Sequence, residues 1–158
     1  MNLAQFTTQV VTTGGATYNI TTGDSPTSGY AASMQGHEKV INLPNTWDSM
    51  SSSDRGTYIK QHILDFIVTN GAQLETAWDY IGAWTHEGSI YLDVTRVFDE
   101  LYDAVLFGML NGQKAIYDFN RDESIEIPEM QSHGTMTQAM DYAKMTATAI
   151  SHKILTNA

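Results

Sequence analysis

The spacing with the most chemical content runs from Asp118 to Glu129. Asp118, Asn120, Asp122, Glu126 and Glu129 stand at loop positions one, three, five, nine and twelve, with Ile125 at position eight. A calcium loop of the EF-hand type needs oxygens at that spacing, because alternate residues of a tight loop point inward and Ca²⁺ takes six to eight oxygens. Two features depart from that pattern. Glu123 stands where the loop needs a glycine for its sharp turn, and Lys114 to Tyr117 read as a strand where a helix should precede. The other reading is a polar turn between two strands. The histidines, His37, His62, His86, His133 and His152, form no i, i+4 metal pair. His62 borders the apolar face of a helix. His37-Glu38 and His86-Glu87 flank turns, and two such pairs meeting in a cleft would suit acid-base chemistry or binding.

Other chemistries find little support. There is no G-x-S-x-G elbow, no phosphate-cradling glycine motif and no cysteine, so thiol catalysis, disulfides and Cys-based zinc sites are excluded. The carboxylates Asp93, Asp99 and Asp103 have no spacing that defines a glycosidase pair. Trp47, Trp78 and Trp84 with Tyr80 and Tyr91 read as core and sheet residues, of which an exposed subset could form a binding face.

The elements that position these residues follow from periodicity. Residues 1–28 are rich in Thr, Gly and Ser. Gln9–Thr13 and Ala16–Ile20 could pair as a hairpin, or the segment could be an arm without fixed structure. Tyr30–Ile41 reads as one or two strands interrupted at Gln35-Gly36. Ser51–Asp54 cap a helix with Ile59, Ile63, Phe66 and Ile67 on one face, stopped at Asn70-Gly71. Asp79–Thr85 and Ser89–Val94 read as a hairpin around His86-Glu87-Gly88. A helix from near Asp99, with a stripe from Phe98 to Met109, ends at Asn111-Gly112. Lys114–Phe119 and Ser124–Ile127 read as strands. From Gly134 a C-terminal helix carries Met136, Met140, Ala143, Ala147, Ile150 and Ile154 on one stripe. The order β-β-α-β-β-α-β-β-α predicts a single α+β domain with a mixed or antiparallel sheet and helices packed on it: an N-terminal arm or hairpin over 1–28, the core over 29–130, and an amphipathic helix over 131–158. The segment Ile90–Phe119 is long enough for a parallel crossover.

Composition narrows the partners. Among 158 residues, 18 acidic side chains outweigh 8 basic ones, for a net charge of −10. The scattered Lys and Arg argue against nucleic acid and against anionic membranes. The acidity serves solubility, or marks a surface that mimics nucleic acid or docks a basic partner. The first residues lack a basic n-region and a long apolar core, so no secretory signal is expected, and no run reaches the ~20 apolar residues of a membrane span. Asn19-Ile20-Thr21 matches a glycosylation sequon, which without a secretory signal reads as a chance match.

The segments Tyr80-Ile-Gly-Ala-Trp84, Gly88-Ser-Ile-Tyr-Leu-Asp-Val-Thr95 and Asn111-Gly-Gln-Lys-Ala-Ile-Tyr-Asp118 resemble a group of small, mostly uncharacterised proteins of tailed bacteriophages, especially phages of actinobacteria. Those proteins share a pattern of Y-(I/L)-G-x-W, then Y-L-D-V-S, then N-Q-x-A-I-Y-D. Pro26–Tyr30 and Gly36–Val40 fit the same group loosely. The resemblance covers about residues 27–126, and the Gly112 before Gln113 departs from it. It implies a viral origin and carries no reaction with it. The expected function is a non-enzymatic phage accessory or binding protein that contacts a host or viral protein. A virion-associated head or tail protein is the alternative, and a small enzyme or calcium-binding module a further one. No cofactor is expected apart from Ca²⁺ at the acidic loop. A homo-oligomer would form through the C-terminal helix. The expected location is the host cytoplasm or the virion.

Overall fold

The computed structural model describes residues 1–130 and 134–157, which leaves His133 outside the described residues. The fold is α+β, as the sequence predicts. The elements are α1 (Leu3–Thr13), β1 (Gly15–Tyr18), β2 (Tyr30–Asn42), a 3₁₀ turn (Trp47–Ser49), α2 (Ser52–Thr69), a one-turn α3 (Gly71–Leu74), β3 (Asp79–His86), β4 (Ser89–Phe98), α4 (Leu101–Leu110), β5 (Ala115–Asp118), β6 (Glu123–Glu126) and α5 (Met136–Thr156). The strands form a six-stranded sheet in the order β1-β3-β4-β2-β5-β6. β1 with β3, β2 with β5 and β5 with β6 pair antiparallel. Because β2 lies between β4 and β5, the connection through α4 passes over one strand.

The chain folds as two compact units. The first comprises residues 1–26 and 36–95, the second residues 27–35 and 96–158. The expected interruption at Gln35-Gly36 is a left-handed Gly36, φ +82°, inside a continuous β2.

In the first unit, α1 corrects the expected hairpin or unstructured arm. Asn2 and Gln5 form a reciprocal capping box, and Gly14, φ +86°, closes the other end. Thr7, Thr8, Thr12 and Thr13 turn their hydroxyls back onto carbonyls four residues earlier, which satisfies a segment whose composition favours strands. Phe6 and Val10 are buried, and Phe6 lies 5.4 Å from the Tyr18 ring. β1 therefore pairs not with residues 9–13 but with β3, in the register Gly15↔Trp84 to Tyr18↔Ile81. The Ser51 cap and the buried Ile59, Ile63 and Phe66 define α2 as the periodicity predicts.

Asn19, with no exposed surface, closes the segment after β1. Its Nδ2 donates to the carbonyls of Thr76 and Asp79, both at 3.1 Å, and its Oδ1 accepts from the backbone N–H of Thr21 and Thr22 at 2.8 and 2.9 Å. All four hydrogen-bonding capacities of the amide are used. In the folded chain this sequon asparagine has no free amide to modify.

In the second unit, Leu101, Ala104, Val105 and Met109 of α4 form one core with Ala32, Ile116, Ile127, Ala143 and Ala147. The stripe expected on α5 holds at Ala143, Ala147 and Ile150, which form or pack against this core, and is corrected at Met136 and Met140. Ala139, Ala143 and Ala147 are its buried residues, while Met136, Met140, Tyr142, Met145 and Leu155 are exposed. Small residues face inward because α4 and α5 pack together and the alanines let their backbones approach.

Candidate functional site

The acidic loop is a β-hairpin turn. β5 and β6 pair from Ala115↔Glu126 to Asp118↔Glu123, leaving Phe119 to Asp122 as the loop. Asp118 is buried, and its Oδ1 accepts from the backbone N–H and the Nδ2 of Asn120, at 2.8 and 3.1 Å. Asn120 Oδ1 in turn accepts from the Gly29 N–H at 3.4 Å. Asp122 takes the left-handed conformation, φ +55°, and accepts a short hydrogen bond from the Tyr117 hydroxyl. Glu126 is an exposed strand residue opposite Ala115, and Glu129 is exposed beyond the hairpin. The oxygens of Asp118, Asn120 and Asp122 serve the turn. Among the described residues no group of three or more His, Asp or Glu side chains could hold a metal ion.

Partial burial, the bond to Asp122 and the charges of Asp122 and Asp118 push the Tyr117 phenol up to about 12 from 10.0. A raised phenol makes the folded state hold its proton longer than the unfolded chain. The stabilisation is complete below pH 10 and is lost as the pH rises towards 12. Tyr117→Phe is expected to flatten the alkaline loss of stability in that window. Urea midpoints across alkaline pH check it, and an unchanged slope would refute the assignment.

The two histidine pairs do not meet. His37 Nδ1 lies 2.8 Å from Asn70 Oδ1. Because Asn70 Nδ2 donates to the Phe66 carbonyl, Oδ1 is the acceptor and His37 Nδ1 carries the proton. His86 stands at the β3–β4 turn, 3.6 Å from Glu87, both exposed, a pair of little energetic weight. The Asn42 and Ser89 side chains bond at 3.1 Å and the Leu43 N–H donates to Gly88, which places residue 42 beside the turn. His37 is five residues back along β2, about 16 Å away at strand rise.

A different constellation emerges on β3 and β4. Glu87 and Gly88 have φ +46° and +77°, a two-residue turn of the type that matches sheet twist. Such a turn pairs His86 with Ser89, and counting back puts Trp84 opposite Tyr91 and Gly82 opposite Asp93. The side chains agree. Trp84 and Tyr91 stack with centroids 4.2 Å apart and planes at 11°, and the Asp93 carboxylate lies directly over Gly82, where a methyl group would collide with it. Asp93 also accepts from the Thr95 hydroxyl at 2.6 Å.

Burial separates the two faces. Ile81, Ala83, Ile90, Leu92 and Val94 point to the core. Trp84, His86 and Tyr91 alternate with them, and Trp84 keeps 42% of its surface exposed. The Asn42–Ser89 bond sets β2 in phase, so Val40, 55% exposed, and Glu38 share this outer face. On the β1 side, Gly15 stands opposite Trp84 and adds no side chain beside the ring. At the far end, Ser25 bonds the Thr17 carbonyl at 2.7 Å and the charge of Asp24 adds to burial in raising the Tyr80 phenol, so the 19–26 segment lies against that end. What stays open is an aromatic patch at the hairpin end. Glu38 and Glu87 of the expected site border it, His86 joins it at 6.0 Å from Trp84, and His37 faces away towards Asn70.

The sequence carries a signal for this patch: a Glu-Gly turn of two residues. A three-residue loop, His86 to Gly88, shifts the register and hides the Trp84–Tyr91 pair. No described helix is long and apolar enough to cross a membrane. No family model, no curated protein and no solved structure matches the chain.

Proposed function

We propose that this is a non-enzymatic, phage-encoded accessory protein that binds a host or viral protein through the outer face of β3 and β4. The observation that carries the reading is the exposed Trp84 stacked on Tyr91. An exposed, preorganised aromatic pair at the hairpin end of a sheet face suits recognition, because aromatic anchors dominate interface energies and lose little entropy on binding. The resemblance to phage proteins supports the viral source.

The test compares wild type with Trp84→Ala, matched by circular dichroism, in pull-downs from host lysate and from infected cells. A partner retained by wild type and lost by the variant is expected. A partner held equally by both would remove the function from this face. A second reading, a virion-associated protein, is favoured by the exposed Met136, Met140, Tyr142, Met145 and Leu155 of α5. Detection of the chain in purified particles by mass spectrometry would select it.

A further inference from the structure

The partner's chemistry follows from the charges around the aromatic patch. We propose that the face takes an arginine-bearing basic segment of a protein partner, with a guanidinium laid on the Trp84 ring; this rests on the binding reading above. Three observations carry it. Tyr91 fixes the Trp84 ring by parallel stacking at 4.2 Å, and the residue remains 42% exposed, so an aromatic surface is presented without reorganisation. Indole is the best π partner for a cation, and a planar guanidinium can stack on it where a point charge cannot. Among the titratable groups of the face are the carboxylates of Glu38, Asp93 and Glu87, the imidazole of His86 and the phenols of Tyr80 and Tyr91.

The basic residues of the first unit are Lys39, Arg55 and Lys60. Lys39 alternates with Glu38 and Val40 onto the opposite face of β2. Arg55 lies on α2, where it bonds the Trp47 carbonyl at 2.8 Å and stacks on the Trp47 ring at 5.2 Å. Lys60 is also on α2. The net charge of −10 extends the attraction beyond the patch and speeds encounter with a basic partner. An acidic or nucleic-acid partner would meet repulsion from the same groups.

The experiment is calorimetric titration of the full chain with two synthetic peptides of equal length, one of alternating Arg and Gly, one of alternating Ser and Gly. Binding of the arginine peptide is expected, weakened about tenfold by Trp84→Ala and largely kept by Trp84→Phe. Glu38→Gln with Glu87→Gln should weaken it further and flatten its salt dependence. Equal binding by wild type and Trp84→Ala would mean general attraction to an acidic protein and overturns the proposal, as does no binding. If the pull-down partner depends on Trp84 while the arginine peptide is ignored, the binding face stands and the basic partner falls. If the serine peptide binds as well as the arginine one, the guanidinium is not what is recognised.

Discussion

Replacing Asn19 with alanine is expected to cost about 3–5 kcal/mol, a large part of the ~5–15 kcal/mol that holds a typical domain folded. The loss of carbon contacts is small. What matters is the four groups left behind: the carbonyls of Thr76 and Asp79 and the N–H groups of Thr21 and Thr22. Each stranded buried group costs about 1–3 kcal/mol, less where water can enter, which is why the sum falls short of four full penalties. Asn19→Asp separates this cause from simple volume loss. It keeps the shape and the two N–H partners but turns a carboxylate oxygen towards two carbonyls, so it should be at least as damaging. Urea denaturation reads both as a midpoint shift of about 2 M or more. A shift below ~0.5 M for Asn19→Ala would show that the local backbone finds other partners.

Gly29→Ala is the second large effect, about 2–5 kcal/mol. Gly29 has φ +88°, and a methyl group there would stand 2.6 Å from the Phe98 carbonyl oxygen. That neighbour is backbone and cannot swing aside. The residue also accepts from the Phe119 N–H at 2.9 Å and donates to Asn120, so it seats the β5–β6 turn against the start of β2. Thermal unfolding should show a much lower melting temperature for Gly29→Ala than for Gly36→Ala. Gly36 shares the positive φ but has open space around it, so its alanine variant bears only the backbone strain. Equal melting temperatures would mean that the close approach to Phe98 carries no weight.

What could be read from the sequence and what could not divide along physical lines. The strands β3 and β4 were legible because one buried face imposes a two-residue alternation on Ile81, Ala83, Ile90, Leu92 and Val94. The helix α2 was legible because Ile59, Ile63 and Phe66 are large and regularly spaced. α1 was not, because Thr and Val favour strands in isolation, and the decision falls to the Asn2–Gln5 capping box and the burial of Phe6 and Val10. On α5 the stripe was legible at Ala143, Ala147 and Ile150, but the methionines Met136 and Met140 drew it to the wrong face at its start. The inward face is set instead by what fits against α4, and alanine carries little weight in any hydrophobic pattern. The site divided in the same way. The exposed aromatic subset was anticipated as a class, but the Trp84–Tyr91 pair depends on a register that one loop residue changes. The acidic loop had oxygens at calcium spacing. Spacing along the chain could not show that Asp118 and Asp122 are drawn into the hairpin's own hydrogen bonds.

The burial of Asn19 has a consequence for how the chain would behave in a eukaryotic secretory pathway. Its Asn-Ile-Thr triplet is a valid acceptor only while residues 19–22 and 76–79 remain apart. In a eukaryotic secretory pathway, oligosaccharide transfer and closure of this segment would race each other. A glycan that arrived first would occupy the amide that must bond Thr76 and Asp79, and would bar the native structure. The fraction of unmodified chains would thus act as a clock for early folding.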